Sequence, residues 1–301
     1  MLARFLAEWH GTSRPGRGEA RLDEVLDRLE GMPVSFAELE ESILPARIEG
    51  FDARMLDERG ALGERVWVGR GALGDDDGRV ALYRRERIGL LAEPPARPDD
   101  ATALHDAILD CLARQGASFF GELARAAGGA REREVLDALW DCVWWGLVTN
   151  DTFAPLRALG ARRATSRGAP AGRRRARRAG AARRPGAHAP PPASAGRWSL
   201  VAQLVGDSAS PTERAHARCQ LLLDRFGVLS RDAMALEDWP GGFGALYPVL
   251  RAMEDAGRIR RGHFVEGFTG AQFASAAVVD RLRAARTPHS RAGAVVLAAN
   301  D

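Results

Sequence analysis

The chain contains no lysine: all 43 of its basic residues are arginine. That absence excludes several chemistries. A GxxxxGK[ST] phosphate loop needs a lysine at the β- and γ-phosphates, a protein kinase needs its strand lysine, and Schiff-base catalysis needs an amine nucleophile. Cysteine is scarce as well, at three residues, Cys111, Cys142 and Cys219. The odd count, with each one inside an apolar helical pattern, predicts reduced buried thiols. No C-x-x-C occurs and the six histidines show no paired ligand spacing, so no metal site is expected. No apolar run approaches the ~18 residues of a membrane helix. The N-terminal stretch Met1–Trp9 carries Glu8 and lacks the long apolar core of a signal peptide. A cytoplasmic protein without membrane contact is the expectation.

What the chain does have is charge of two signs, kept apart. Its net +3 over 301 residues is a cancellation. Residues 1–159 hold 20 Arg against 29 acids, residues 160–196 hold ten Arg and no acid, and residues 197–301 hold 13 Arg against 11 acids. An acidic part, a cationic tether and a mildly basic part invite a polyanionic partner. The tether has no apolar residue larger than alanine apart from proline. It cannot bury enough surface to offset the entropy of ordering, so a disordered linker is expected, spanning roughly 30–35 Å as a flexible coil. If about eight of its arginines engage duplex DNA, log K falls with log salt at a slope near about −7. A merely solubilising tether is the other reading of the same composition.

Each flank repeats one grammar of helices followed by a hairpin. In the first, Leu22, Val25, Leu26 and Leu29 share a helical face, and Ser35 with Glu38 opens a short helix reaching Ile43-Leu44 before Pro45. A third helix from about Asp52 carries Met55, Leu56 and Leu62, then Glu64–Gly69 and Arg79–Tyr83 alternate as two strands. In the second, Thr102 caps a helix with Ile108 and Cys111, Ser118 begins another, and a third runs from Arg131 to about Trp145 before the strand Leu147–Thr149. In the third, helices start at Pro211, Ser230 and Gly242, Arg258–Val265 is a strand, Ala271–Ala274 is its return, and Ala276–Arg286 is a closing helix. Three helices closed by a two-stranded ribbon describe a winged helix. The expected fold is therefore mainly α with small β-hairpins (α+β): tandem winged-helix modules. The expected boundaries are 1–93 for a first module with an upstream helix remnant, 94–159 for a second, 160–196 for the linker, and 197–301 for a third plus the start of a module cut off after Asp301.

Gly69-Arg70-Gly71-Ala72-Leu73-Gly74 matches G-x-G-x-x-G after a strand, but a dinucleotide site needs a helix next, and Asp75-Asp76-Asp77 and another strand follow. A wing hairpin is expected there. Trp140 and Trp144, four residues apart, are expected in the core, and Trp145 lies off their stripe and is open to a contact role. The strongest binding signal is in the third unit, where Arg258, Arg260, Arg261 and His263 share a wing and Gly241-Gly242 offers backbone N–H groups at a helix start. Trp239 and Tyr247 are candidate strand-guiding aromatics. For catalysis only isolated acids stand out, Asp151 at a strand–turn junction and Glu266 beyond the wing strand, and no nucleophile–base pair is visible.

Taken together, Ile43-Leu44-Pro45-Ala46-Arg47, Ala138-Leu139-Trp140-Asp141, the run Gly146–Phe153, the run Gly196–Leu200, the run Glu237–Phe243 and the stretch Arg260–Ala274 resemble the C-terminal region of Lhr-type (large helicase-related) superfamily 2 DNA helicases. The resemblance covers nearly the whole chain outside the linker. It implies tandem winged helices behind a 3′-to-5′ ATP-dependent motor acting in DNA repair, with ATP and Mg confined to that motor and no cofactor in this part. DNA, the motor itself and a possible homo-oligomer are the implied partners, and the nucleoid the implied place. It also implies similarity to AlkZ-like winged-helix DNA glycosylases acting on uracil or alkylated bases. The Q-x-Q element of those enzymes is missing, since the only glutamines are Gln115, Gln203, Gln220 and Gln272. A glycosylase built on this chain would be monofunctional, because no lysine is available for a lyase step.

Overall fold

A computed structural model describes residues 2–167, 191–206, 209–235, 237 and 241–285. The chain opens with α1 (Leu2–Trp9). The first module follows as α2 (Glu19–Arg28), β1 (Val34–Ser35), α3 (Phe36–Glu38), a π-helical turn (Leu39–Ile43), α4 (Leu44–Arg47), α5 (Ala53–Ala61), β2 (Arg65–Ala72) and β3 (Gly78–Arg84). After α6 (Ile88–Leu91) the second module runs α7 (Ala103–Gln115), β4 (Ser118–Phe119), α8 (Phe120–Ala126), α9 (Glu132–Trp144), β5 (Val148–Asn150), α10 (Ala154–Arg167) and β6 (Arg197–Leu200). A short α11 (Val201–Val205) leads to the third: α12 (Pro211–Phe226), β7 (Val228–Leu229), α13 (Arg231–Met234), α14 (Gly242–Asp255), β8 (Arg260–Gly262), β9 (Gln272–Ala274) and a closing α15 (Ala276–Ala285).

Helix starts follow capping chemistry. The Ser35 hydroxyl accepts the Glu38 N–H at 3.1 Å, Asp52 accepts the Arg54 N–H at 2.9 Å, Ser230 accepts the Ala233 N–H at 3.1 Å, and Ser210 with Glu213 forms a reciprocal capping box. The helix expected to stop before Pro45 continues to Arg47 instead. The wider π turn before it absorbs the residue that cannot donate a hydrogen bond. Ser118 does not begin a helix but forms an edge strand, and Leu62 lies beyond the end of α5 and is exposed.

Among the described residues three antiparallel sheets of three strands form, in the orders β1-β3-β2, β4-β6-β5 and β7-β9-β8. The two-stranded ribbons expected from sequence each gain a two-residue strand from the start of the second helix. The second sheet brings a larger correction. Its central strand is Arg197–Leu200, with Val148 opposite Leu200 and Asn150 opposite Trp198. Residues 197–200 thus complete the second module rather than open the third, and the arginine-rich stretch is an insertion in the second module's wing. The ends of that stretch are ordered, contrary to the expectation of a disordered 160–196. Residues 160–167 extend α10, and Pro192–Ser194 forms a 3₁₀ turn whose Ala193 and Ser194 are buried. The middle of the linker, 168–190, lies outside the described residues, as do 286–301, where a truncated further module was expected.

The first two modules share one continuous core that includes Leu22, Leu39, Trp67, Leu139, Trp140, Phe153 and Trp198. A second cluster, with Val68, Tyr83, Ile88, Val201 and Leu221, packs the back of the first sheet onto α6, α11 and α12. The helix read as an upstream remnant packs on the third module: Phe5 lies among Val228, Ala274, Val278 and Leu282, and the Trp9 indole N–H donates to the carbonyls of Asp224 and Arg225. The buried Arg225 guanidinium donates to the Arg28 carbonyl at 2.9 Å and to the Glu30 carbonyl, capping the C-terminal end of α2, and pairs with Glu237. Among the described residues no helix is long and apolar enough to cross a membrane.

Candidate nucleic-acid interface

In helix-turn-helix proteins the helix preceding the wing is the one that enters a major groove. Here those positions are α5, α9 and α14, and their environments differ. Helix α9 buries Val135, Leu136, Ala138, Leu139, Trp140, Cys142 and Val143, partly against β2 of the first module. A Cβ at Gly69 would overlap the Val143 carbonyl, and one at Gly78 would overlap the Trp144 ring. Gly69, the first glycine of the apparent nucleotide-loop motif, is therefore required for strand–helix contact and holds no phosphate. The Trp140 indole donates to the Ala193 carbonyl at 3.2 Å, and its ring meets Trp144 at 5.2 Å and Trp198 edge-on at 5.7 Å. Trp145, the ring left open to contact, lies 4.6 Å from the His105 ring and is half-buried. What α9 leaves exposed is Glu132, Arg133, Glu134, Asp137 and Asp141, four acids to one base.

The first module is acidic on its open side. The Asp77 carboxylate accepts the Ser35 hydroxyl at 2.6 Å, and cavities of about 520 and 570 Å³ beside it are lined by Glu38, Glu40, Glu41 and Asp76. Arg157 bridges Glu40 at 2.6 Å and Asp57 at 2.8 Å, and Arg59 of α5 is held by Asp23 and Glu19. A surface of this sign repels phosphate.

The third module presents the opposite arrangement. Helix α14 shows solvent Gly244, Ala245, Pro248 and Ala252, a low-relief face that a nucleic-acid backbone can approach closely, with one exposed acid, Asp255, at its last residue. It starts at Gly241 and Gly242 with φ of 77° and 53°, a conformation that favours glycine. Arg258 and Arg260 are exposed and, among the described residues, form no ion pair. Arg261 turns back, 3.4 Å from Glu254 and 3.5 Å from the Tyr247 hydroxyl. Tyr247 is half-buried, edge-on to Phe273 at 5.9 Å, and His263 is exposed at the end of the strand. Arg258, Arg260, Arg261 and His263 thus follow one another along the wing, and Tyr247, which Arg261 meets, lies five residues into α14, roughly 8 Å along its axis from Gly242. Trp239 lies outside the described residues.

The two carboxylates considered for catalysis are far apart in role. Asp151 accepts the Arg197 backbone N–H at 2.8 Å and its guanidinium at 2.9 Å, pinning the base of the second wing. Glu266 is exposed. Sequence reasoning passed over a residue that shapes this region. Gln272 is fully buried: its side-chain carbonyl accepts the N–H groups of Phe264 and Val265, both at 2.8 Å, and its amide donates to the Val265 carbonyl at 2.9 Å. A lone polar residue between Ala271 and Phe273 was the available signal, because a buried amide has to be satisfied. Among the described residues no group of three or more His, Cys, Asp or Glu is placed to hold a metal.

Residues 1–85 match one winged-helix domain family of large helicase-related proteins, and residues 208–294 match another. A Mycolicibacterium smegmatis protein named Lhr helicase/probable uracil glycosylase is 42% identical over 311 residues, covering 99% of this chain and 20% of that protein. An Escherichia coli K12 protein named Lhr helicase/uracil glycosylase is 40% identical over 298 residues, covering 92% of this chain and 19% of that protein. The chain thus spans about a fifth of the length of these relatives. Among solved structures, the Streptomyces sahachiroi DNA glycosylase AlkZ is similar in fold, with a TM-score of 0.51 at 14% identity over 94% of this chain and 72% of that one.

Proposed function

The chain belongs to the tandem winged-helix region of the large helicase-related (Lhr) family, and from that premise we propose that it is a DNA-binding part of an Lhr-type helicase acting in repair, with the third module as the DNA contact. The observation that carries this reading is the pair Arg258 and Arg260, exposed on the third wing and, among the described residues, in no ion pair, while Arg261 of the same wing faces Glu254 and Tyr247 of α14. Guanidinium groups on a wing hold phosphates, and the neighbouring helix fits a groove. The acidic first and second modules then serve as the side that faces protein, the helicase motor of the longer relatives above all. ATP and Mg belong to that motor. The seven arginines between 168 and 190 supply a further, sequence-independent attraction to the same polyanion.

Fluorescence anisotropy with a labelled duplex tests the assignment. Replacing Arg258, Arg260 and Arg261 by Ala should weaken binding by about tenfold or more at moderate salt and lower the salt slope by about 2, since Arg261 is already committed to Glu254. Unchanged affinity and slope in the triple variant contradict the assignment.

A second reading is a monofunctional DNA glycosylase on uracil or alkylated bases. It is favoured by the AlkZ-like fold and by the relatives' names. The engagement of Asp151 by Arg197 leaves Glu266 as the acid free to activate water. Incubation with uracil- or alkyl-base duplexes, followed by alkaline cleavage, separates the two: strand breaks support the enzyme, and intact strands with retained binding leave the binding module.

A further inference from the structure

A cleft of about 750 Å³ lies between the loop 263–268 and α15, lined by His263, Phe264, Glu266, Phe268, Leu282 and Arg283. We propose that this cleft holds one unstacked nucleobase of the DNA whose phosphates lie on Arg258 and Arg260, an inference that rests on the DNA-binding reading above.

The chemistry of the lining selects that class of ligand. Two half-buried phenyl rings, Phe264 and Phe268, offer flat apolar surface to a heteroaromatic ring, and stacking of this kind is a major source of affinity for unpaired bases. The polar rim carries both signs. The Glu266 carboxylate is exposed and accepts N–H groups of a base edge, while it repels a phosphate. The Arg283 guanidinium is 3.1 Å from the carboxylate of Asp280, so the one arginine on the rim stands between two acids, Asp280 and Glu266. The size falls in the range of small-molecule pockets.

Position points the same way. His263 belongs both to the run that carries Arg258 and Arg260 and to the cleft wall, so a strand held on the wing passes the cleft mouth. The loop is also fixed in advance. Gln272 grips it at Phe264 and Val265, and Asp232 accepts the Thr269 N–H at 2.8 Å. A cleft already shaped before the ligand arrives loses little ordering entropy on binding.

The test compares the full chain on a fully paired duplex and on the same duplex with a single bulged 2-aminopurine, by anisotropy and by 2-aminopurine emission. The bulged duplex should bind about tenfold more tightly, with a change in emission on binding. Phe268→Ala should reduce that preference to about twofold or less while paired-duplex affinity stays the same, and Glu266→Gln should reduce the ratio of the two affinities likewise, because loss of its charge acts on both duplexes alike. Glu266 is exposed, so its variant reports even if Phe268→Ala loosens the loop. Equal affinity for the two duplexes, or a preference that survives both variants, overturns the base cleft. Salt-steep binding of the paired duplex in either case leaves the earlier reading standing, whereas failure of the Arg258/Arg260/Arg261 variant to weaken paired-duplex binding strikes that reading instead.

Discussion

Helices α9 and α14 hold the same place in the same three-stranded topology, yet one is sealed and the other open. Helix α9 has its apolar face in a core shared with the first module, is clamped by β2 at Gly69, and shows solvent four acids. Helix α14 buries only Leu246, Leu250 and Met253 in its own module and shows solvent four small residues and the single acid Asp255, and it leads to a wing whose Arg258 and Arg260 form no ion pair among the described residues. The shared topology therefore does not fix which helix is exposed. In this chain the second module's helix is a buried structural strut, and the corresponding helix of the third is open to solvent.

The largest effects come from breaking the seal around α9. Trp140→Ala removes a ring that contacts Trp144 and Trp198 and orphans the Ala193 carbonyl, and should cost about 3–5 kcal/mol in urea unfolding. Gly69→Ala should cost about 1–3 kcal/mol by forcing the strand away from Val143. Neither should alter the salt slope of DNA binding in chain that remains folded. Smaller, and more discriminating, are charges placed on the two open faces. Ala252→Glu on α14 should weaken duplex binding by about threefold to tenfold, whereas Asp137→Ala on α9 should change it by less than about twofold.

The smallest effect concerns the seam that docks the third module on the first. Glu30 is completely buried there; burial pushes its carboxyl above the ordinary range despite the Arg84 N–H and the Arg87 guanidinium. Burial raises the Asp224 carboxyl as well. A raised folded-state value means that this contribution to stability is present at pH below the ordinary carboxylate range and is lost as pH rises through the raised value. Asp27, beside them, is the opposite case. Burial opposes its ionisation, but hydrogen bonds from Arg84 and Arg65 outweigh it and hold the carboxyl low, so its contribution is lost as pH falls through the ordinary carboxylate range to the lowered value. Glu30→Gln should therefore flatten the decline in stability as pH rises above the ordinary carboxylate range, as followed by urea midpoints. An unaltered pH profile contradicts the buried-carboxylate account.

Much of the fold was legible because it is local. The Ser35 and Ser230 caps, the helix starts near Asp52 and at Pro211, the apolar stripes of α2, α9 and α12, and the wing strands of the first and third modules all announce themselves within a few residues. What escaped notice is non-local. Val34–Ser35, Ser118–Phe119 and Val228–Leu229 are too short to show alternation, so the third strand of every sheet went unread. The pairing of Val148–Asn150 with Arg197–Leu200 bridges the whole arginine-rich insertion, which no periodicity encodes. The candidate interface divides along the same line. The exposed arginines were visible as charge, but the sealing of α9, the pinning of Asp151 by Arg197 and the grip of Gln272 on the wing loop depend on partners distant in sequence.

Photo-crosslinking tests the contrast between the two helices most directly. A duplex carrying 5-iodouracil, irradiated with the intact chain and mapped by peptide mass spectrometry, should give adducts at Tyr247, His263 or Phe264 in the third module. Adducts concentrated on Trp144 or Trp145 of the second module, with none between 241 and 268, would contradict it.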